Sequence, residues 1–127
     1  MSGRSSDISV RGCTAWFIPV TTRVPLKFGH EVLTSVTCLR VRLDASTGSG
    51  ASVNGWGETP LSVQWVWPSS LPYEERHNSL KEFCLALAPL WVDFPRKGDA
   101  LEIGHAFQAD VLPKLLAKHN KPRAAAG

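Results

Sequence analysis

Strict alternation of apolar and basic residues in the segment VTCLRVRLD constrains the fold of this chain more than any other feature. Leu39, Val41 and Leu43 alternate there with Arg40 and Arg42. Because successive side chains of a strand point to opposite faces, this pattern predicts a β-strand with one buried and one wet face. Such strands are typical of antiparallel sheets that are covered on one side only.

Two further extended segments flank this strand. The alternating residues lie within Val32–Asp44, which is preceded by Ile8–Val20, a segment rich in branched and aromatic residues, and followed by the short segment Val53–Glu58. Residues 45–52 (ASTGSGAS) have the composition of a polar turn. Thr21–His30 is long for a hairpin connection, so it is expected to be a functional or flexible loop. The first sixty residues therefore predict a three-stranded antiparallel meander.

The second half of the chain is predicted to be helical. Apolar residues after Tyr73 recur at helical spacing, at Leu80, Phe83, Cys84 and Leu87. Ser70 is the expected N-cap, and Pro89 is expected to end or bend this helix.

A second helical region is predicted after a linker at residues 91–98. Asp99 and Glu102 have the spacing of a capping box, and Pro113 is expected to kink or restart the helix that follows. Together these segments predict an α+β fold, in which two to three helices follow the meander and cover one face of its sheet.

Composition indicates one globular domain. The chain has 127 residues, of which 43% are hydrophobic and 20% charged, and its net charge is only +3. We expect a disordered N-terminus over residues 1–7, a folded domain over 8–120 and a frayed basic tail over 121–127.

The cysteines and the termini indicate a cytoplasmic protein. Three cysteines are widely separated and form no CxxC pair, as is typical of reduced thiols. The N-terminus lacks the apolar region of a secretory signal, and no run of apolar residues approaches the roughly 20 that a membrane span needs.

No complete catalytic or metal-binding motif is present in the sequence. Glu102 and His105 form an isolated ExxH pair, whereas di-iron bundles need two such pairs and further carboxylates. Arg40 and Arg42 near Trp16 are the closest approach to a nucleic-acid surface, but arginines on a wet sheet face commonly serve solubility. The prediction is therefore no metal, no catalytic residue and no nucleic-acid partner in this chain.

The order of several short motifs resembles the N-terminal capping domain of the enolase superfamily, in its mandelate racemase and muconate lactonizing enzyme branch. The motifs are RVPLKFG, the strand VTCLRVRLD with its Ser/Gly turn, and NGWGETPLSVQWVWP. The residues that carry the resemblance are Arg23, Pro25, Leu26, Val41, Leu43, Gly48, Gly55, Gly57, Glu58 and Pro60. The helical segments after Tyr73 and Asp99 follow in the order of that family, so the resemblance covers nearly the whole chain.

The resemblance implies a role in covering a substrate. In that family the capping domain lies over the mouth of a (β/α)-barrel, and two of its loops close over the substrate. It implies substrate-facing residues in the first loop (Arg23, Lys27, Phe28 and His30) and in the second loop (Trp65 and Trp67). A cationic residue suits a carboxylate substrate. The alternative for each tryptophan, that it only seals the edge of the domain, stays open.

The family's catalytic bases and Mg²⁺ ligands lie on barrel strands, which this chain does not contain. The chain is therefore expected to be inactive alone, with no cofactor of its own, as a fragment of a dehydratase, racemase or cycloisomerase. Its expected partner is a barrel domain, or a second copy through an exposed apolar patch formed by Trp56, Leu61, Trp65, Trp67 and Phe94. The alternative is a free-standing α+β binding or oligomerisation module.

Overall fold

The computed structural model describes residues 4–125, which form a three-stranded antiparallel sheet followed by helices. The strands are β1 (Ile8–Phe28), β2 (Glu31–Thr47) and β3 (Ser52–Pro60), in the order β1-β2-β3. The helices are α1 (Val63–Val66), α2 (Tyr73–Asp93), α3 (Ala100–Asp110) and α4 (Leu112–Ala125). The α+β prediction is confirmed: a meander comes first and helices follow.

The first two strands form a longer hairpin than the sequence predicted. Thr21–His30 was expected to be a loop, but β1 continues to Phe28 and turns back at Gly29 and His30. The strand accommodates Pro25 through an irregularity in the pairing. Thr21 lies opposite Ser35 and the next paired residue of β1, Leu26, lies opposite Leu33, so the residues between them have no regular partner. The intervening residues form a wide bulge, and bulges are places where a strand tolerates proline.

Basic and apolar residues of β2 lie on opposite faces of the sheet, as the alternation predicted, although Leu39, Val41 and Leu43 are only half-buried. Arg40 lies opposite Trp16 on one side and opposite Glu58 on the other, so these three residues share the open face. Val41, Leu43 and Ala45 lie on the other face, beside which α3 begins at Ala100, and α2 packs against β1.

The buried core draws its residues from the sheet, from α1 and the segment before it, and from α3. Its apolar members are less than a tenth exposed and comprise Val10, Ala45, Leu61, Val63, Ile103, Ala106 and Phe107. Phe107 stacks on Trp91 of α2, with ring centroids 3.8 Å apart, and meets Phe94 edge-on at 5.5 Å. This aromatic cluster joins α2 to α3.

The helix boundaries differ from the prediction at two positions. Pro72, not Ser70, is the N-cap of α2, and no side chain caps that end. The helix continues past Pro89 to Asp93, so residues 91–93 of the predicted linker are helical. Pro89 is exposed, so the backbone carbonyl that loses its partner to proline can lie near water.

The start of α3 and the new helix at α4 agree with the predictions made from the sequence. The Asp99 side chain accepts a hydrogen bond from the Glu102 backbone N–H at 2.9 Å, and Glu102 accepts one from the Asp99 N–H at 3.1 Å. The predicted capping box is thus confirmed. A new helix begins at Leu112, which places Pro113 in its first turn, where proline is tolerated.

Residues near both ends of the described chain make defined contacts. The Arg4 carbonyl accepts a hydrogen bond from the Asp7 N–H in a turn, and the Arg4 guanidinium pairs with Glu102. Residues 121–125 continue α4, and Arg123 of that turn donates to Glu82 at 2.7 Å. Residues 1–3 and 126–127 lie outside the described part. Among residues 4–125, none of the helices is long and apolar enough to cross a membrane.

Candidate functional site

The β1–β2 hairpin ends in a tight turn that extends well beyond β3. Gly29 has φ of +61°, whereas His30 does not have a positive φ. A glycine with positive φ at the first central position is typical of a type II′ hairpin turn. Phe28 pairs with Glu31 across this turn, and Lys27 pairs with Val32 on the opposite face.

Arg23 lies in the bulge of the same hairpin. Residues 22–25 of β1 stand opposite Thr34 alone, and the hydroxyl of Thr22 donates to the Thr34 carbonyl at 3.0 Å. Arg23 is exposed, and among residues 4–125 neither Arg23 nor Lys27 forms an ion pair. The end of the hairpin therefore presents two cations without ion-pair partners to solvent, on the same turn as the exposed Glu31.

Helix α1 brings a tryptophan to this hairpin. Val63 is fully buried, and the N–H of the neighbouring Leu61 donates to the Thr37 carbonyl at 2.8 Å, so the start of α1 is fixed to the sheet. Trp65 points the other way and is 73% exposed. Its ring meets Phe28 edge-on, with centroids 6.1 Å apart. We call Arg23, Lys27, Phe28, His30 and Trp65 the tip cluster.

Trp67 lies outside the tip cluster. It is half-buried, and its carbonyl accepts a hydrogen bond from Arg76 of α2 at 2.7 Å. Its side chain lines a cavity of about 440 Å³ between α1, α2 and α4, which also contains Leu80, Phe83 and Leu116. The structure thus joins Phe28 to Trp65, leaves the basic residues exposed on the same hairpin, and places Trp67 elsewhere.

The cavity contains a serine–histidine contact that the sequence analysis missed. Ser79 Oγ lies 2.9 Å from His119 Nε2, and the imidazole meets Phe83 edge-on. Burial lowers the pKa of His119, and the nearby Arg123 lowers it further. The neutral imidazole that results suits a hydrogen bond to a hydroxyl. The signal available in sequence was the polar Ser79 beside the apolar stripe of α2, but its partner is 40 residues away.

This contact does not form a complete acyl-transfer site. Ser79 lies inside α2, where backbone N–H groups are bonded within the helix and cannot stabilise an oxyanion. Ser79 is itself buried. We therefore assign this pair to the packing of α4 against α2.

Metal-ligating side chains do not cluster in the described part of the chain. No group of three His, Cys, Asp or Glu side chains is placed to hold a metal ion among residues 4–125. Glu102 of the ExxH pair is bonded to Arg4 and to the Asp99 N–H, and these bonds lower the pKa of its carboxyl.

The predicted apolar patch is dispersed over the molecule. Leu61 is buried, which contradicts its prediction as exposed, and its backbone N–H is bonded to Thr37 of the sheet. Phe94 packs on Phe107 and is half-buried. Trp56 is 59% exposed but lies on the open sheet face, where it stacks on Trp16 with centroids 5.6 Å apart. Only Trp65 of the five lies at the tip.

Comparison with protein-family models, with curated proteins and with solved structures finds no match at the level of significance applied.

Proposed function

We propose that this chain is the substrate-capping domain of an enzyme of the mandelate racemase and muconate lactonizing type. In this role the tip cluster faces the mouth of a (β/α)-barrel and closes over a small carboxylate substrate. The observation that carries the proposal is the contact between Phe28 and Trp65. It joins the two segments that the resemblance assigns to the closing loops, although they are far apart in sequence.

The charge of the tip supports a carboxylate as substrate. Arg23 and Lys27 are exposed and free of acidic partners within the described residues. By contrast, the sheet arginines are compensated, since Arg40 pairs with Glu58 at 2.7 Å and Arg42 with Asp44 at 3.2 Å. A guanidinium or ammonium group that is not already paired can bind a ligand carboxylate by charge-assisted hydrogen bonds.

The chemistry in this proposal belongs to the barrel. A barrel of this family would supply a Lys or His base for abstraction of the proton α to the carboxylate, and Mg²⁺ for electrostatic stabilisation of the charge that develops. The residues of this chain contribute binding and exclusion of water: the cations orient the carboxylate, and the aromatic pair covers the apolar part of the substrate. The specific reaction, whether dehydration, racemisation or cycloisomerisation, would be set mainly by barrel residues.

The test is to express the chain together with the coding sequence immediately downstream and to measure exchange of the substrate α-proton with deuterated solvent. A barrel reading frame and Mg²⁺-dependent exchange on a 2-hydroxy acid are expected. In that protein the double substitution Arg23→Ala and Lys27→Ala should raise KM roughly tenfold or more, since charge-assisted bonds to the carboxylate are lost.

The matched control removes two exposed cations far from the tip, by Arg96→Ala and Lys97→Ala, and should leave KM unchanged. Unrelated sequence downstream would contradict the proposal. Equal effects of the two double variants would contradict the assignment of the tip.

A free-standing oligomerisation module is the second candidate function. The observation that favours it is the Trp16–Trp56 stack on the open sheet face, because exposed aromatic pairs are common at protein interfaces. A chain that is a stable monomer at high concentration, by light scattering, would exclude this alternative.

A further inference from the structure

The outer edge of β3 is a free strand edge that carries one charged residue, Glu58, and one proline, at its end. All nine residues of β3 are exposed, and within the described part of the chain β3 pairs only with β2. The edge of β1 differs, because Pro19, Pro25 and two register irregularities interrupt it. Prolines and bulges are the devices that keep strand edges from pairing with other chains. In β3 the only proline is Pro60, at its end.

The pairing at the β2–β3 turn determines which residues of β3 direct their backbone N–H and C=O groups toward β2 and which direct them outward. Thr47 N–H donates to the Ala51 carbonyl at 2.9 Å. Since bonded and non-bonded pairs alternate along an antiparallel ladder, the odd-numbered residues from Val53 to Thr59 direct their backbone groups toward β2. The even-numbered residues direct theirs outward, and these are Ser52, Asn54, Trp56, Glu58 and Pro60.

The outward-facing residues are self-complementary in one antiparallel register. When Trp56 lies opposite Trp56 of a second copy, Asn54 lies opposite Glu58 of that copy, and Ser52 opposite Pro60. This register uses every outward N–H and forms about eight backbone hydrogen bonds. It also sets the Asn54 amide, a donor, against a carboxylate acceptor. A register centred on Glu58 would instead place two carboxylates opposite each other, which is unfavourable.

The Trp56 side chain does not block the free edge of β3. Trp56 stacks on Trp16 of β1, so its ring leans across β2 and away from the free edge. Arg42, on the strand between them, has its guanidinium carbon 5.8 Å from the Trp56 ring centroid and helps to fix that orientation. A second strand can therefore approach β3 without displacing the tryptophan.

We propose that two copies of this chain pair through β3 about a two-fold axis at Trp56, which joins the two sheets into one of six antiparallel strands. The interface is isologous, so it closes at a dimer. The proposal is independent of the capping function, because it concerns an edge remote from the tip cluster and needs no barrel.

Two substitutions of opposite charge at one position test the register. Asn54→Lys places a cation opposite Glu58 of the second copy, and Asn54→Asp places an anion there. Each contact occurs twice in the dimer. Sedimentation velocity over a range of concentrations should show a dimer for the unmodified chain. The dissociation constant should fall roughly threefold or more for Asn54→Lys and rise by a similar factor for Asn54→Asp.

A third variant, Asn54→Pro, tests the edge itself. The N–H of Asn54 points outward, so proline removes no bond to β2 but blocks the ladder between copies. This variant should be monomeric, with an unchanged far-UV circular dichroism spectrum. Because Asn54 also lies opposite Asp44 within the sheet, melting temperatures are recorded to separate effects on folding from effects on association.

Three results would overturn the proposal. They are a monomer at every concentration, shifts of the dissociation constant in the same direction for Asn54→Lys and Asn54→Asp, and a folded Asn54→Pro variant that remains dimeric. If Asn54→Pro fails to fold, the opposite shifts expected for Asn54→Lys and Asn54→Asp still test the proposal.

Discussion

The two ends of the β1–β2 hairpin are built in opposite ways. At the end where the chain starts, Ile8 and Gly98 exchange backbone hydrogen bonds, of which the Ile8 N–H bond is 2.8 Å, and the capping box fixes α3 beside them. At the other end, the tip cluster is exposed and is held by one aromatic contact and one short helix. The first arrangement supplies stability and the second leaves side chains free for a partner. Recognition residues commonly lie on such projecting segments carried by a rigid scaffold.

The largest contrast in stability is expected between Phe107 and Trp65. Phe107 is 3% exposed and contacts two other aromatic rings, so Phe107→Ala should lower the free energy of unfolding by about 3–5 kcal/mol. Trp65→Ala should change it by less than about 0.5 kcal/mol, because the residue is mostly in solvent. Chemical denaturation monitored by circular dichroism measures both. If Trp65→Ala lowered the free energy of unfolding as much as Phe107→Ala, the tip would be part of the core.

The turn at Gly29 is expected to give the next largest effect. Its φ of +61° lies in the left-handed region, so Gly29→Ala should destabilise the hairpin by about 1–2 kcal/mol. The neighbouring substitution His30→Ala, at a residue without positive φ, is the control and should cost much less. Equal losses of unfolding free energy would mean that the turn relaxes to another type.

Removal of the α3 cap is expected to cost about 1 kcal/mol. Asp99→Ala removes the acceptor for the Glu102 N–H at the N-terminus of α3. Asp110→Ala, at the other terminus of the same helix, is the matched control and should be neutral or slightly stabilising, since an acid there opposes the helix dipole. A neutral Asp99→Ala would show that water replaces the cap without loss.

A pH dependence of stability is expected from α2 and α4 rather than from the tip. Burial is the main cause that lowers the pKa of both His77 and His119. A histidine with a lowered pKa in the folded state binds its proton less readily there than in the unfolded chain. Stability should therefore be constant at high pH and should decrease as the pH falls below about 6.5.

The decrease should continue until the folded histidines are themselves protonated. The double variant His77→Asn and His119→Asn should flatten this part of the profile, as measured by thermal unfolding at a series of pH values. An unaltered profile in the double variant would assign the dependence to other groups.

Local patterns in the sequence were sufficient for the order of the three strands and for the start of α3. Alternation at Arg40 and Arg42 identified the open face, and the Asp99–Glu102 spacing identified the capping box, because both signals arise between near neighbours. The length of the hairpin was missed because Pro25 and Gly29 are also loop residues, and only the pairing of Leu26 with Leu33 shows that the ladder resumes.

Contacts between distant segments could not be read from the sequence alone. Nothing near Ser79 indicates His119, and nothing near Phe28 indicates Trp65 as a ring partner. The six candidate substrate-facing residues were selected by resemblance; the structure brings Phe28 into contact with Trp65 and places Trp67 in a separate cavity. Burial of Leu61 depended on where α1 packs, which the polar and aromatic composition of its segment did not reveal.

The most direct test of the central claim is amide hydrogen exchange of this chain with and without the barrel domain that the proposal requires. The account predicts fast exchange at residues 22–32 and 63–67 in the isolated chain, and protection confined to those residues once the barrel is present. Amides of α3 near Phe107 should be protected in both states. Protection that appears elsewhere, or no change at the tip, would contradict the assignment of the tip cluster as the surface that closes over the substrate.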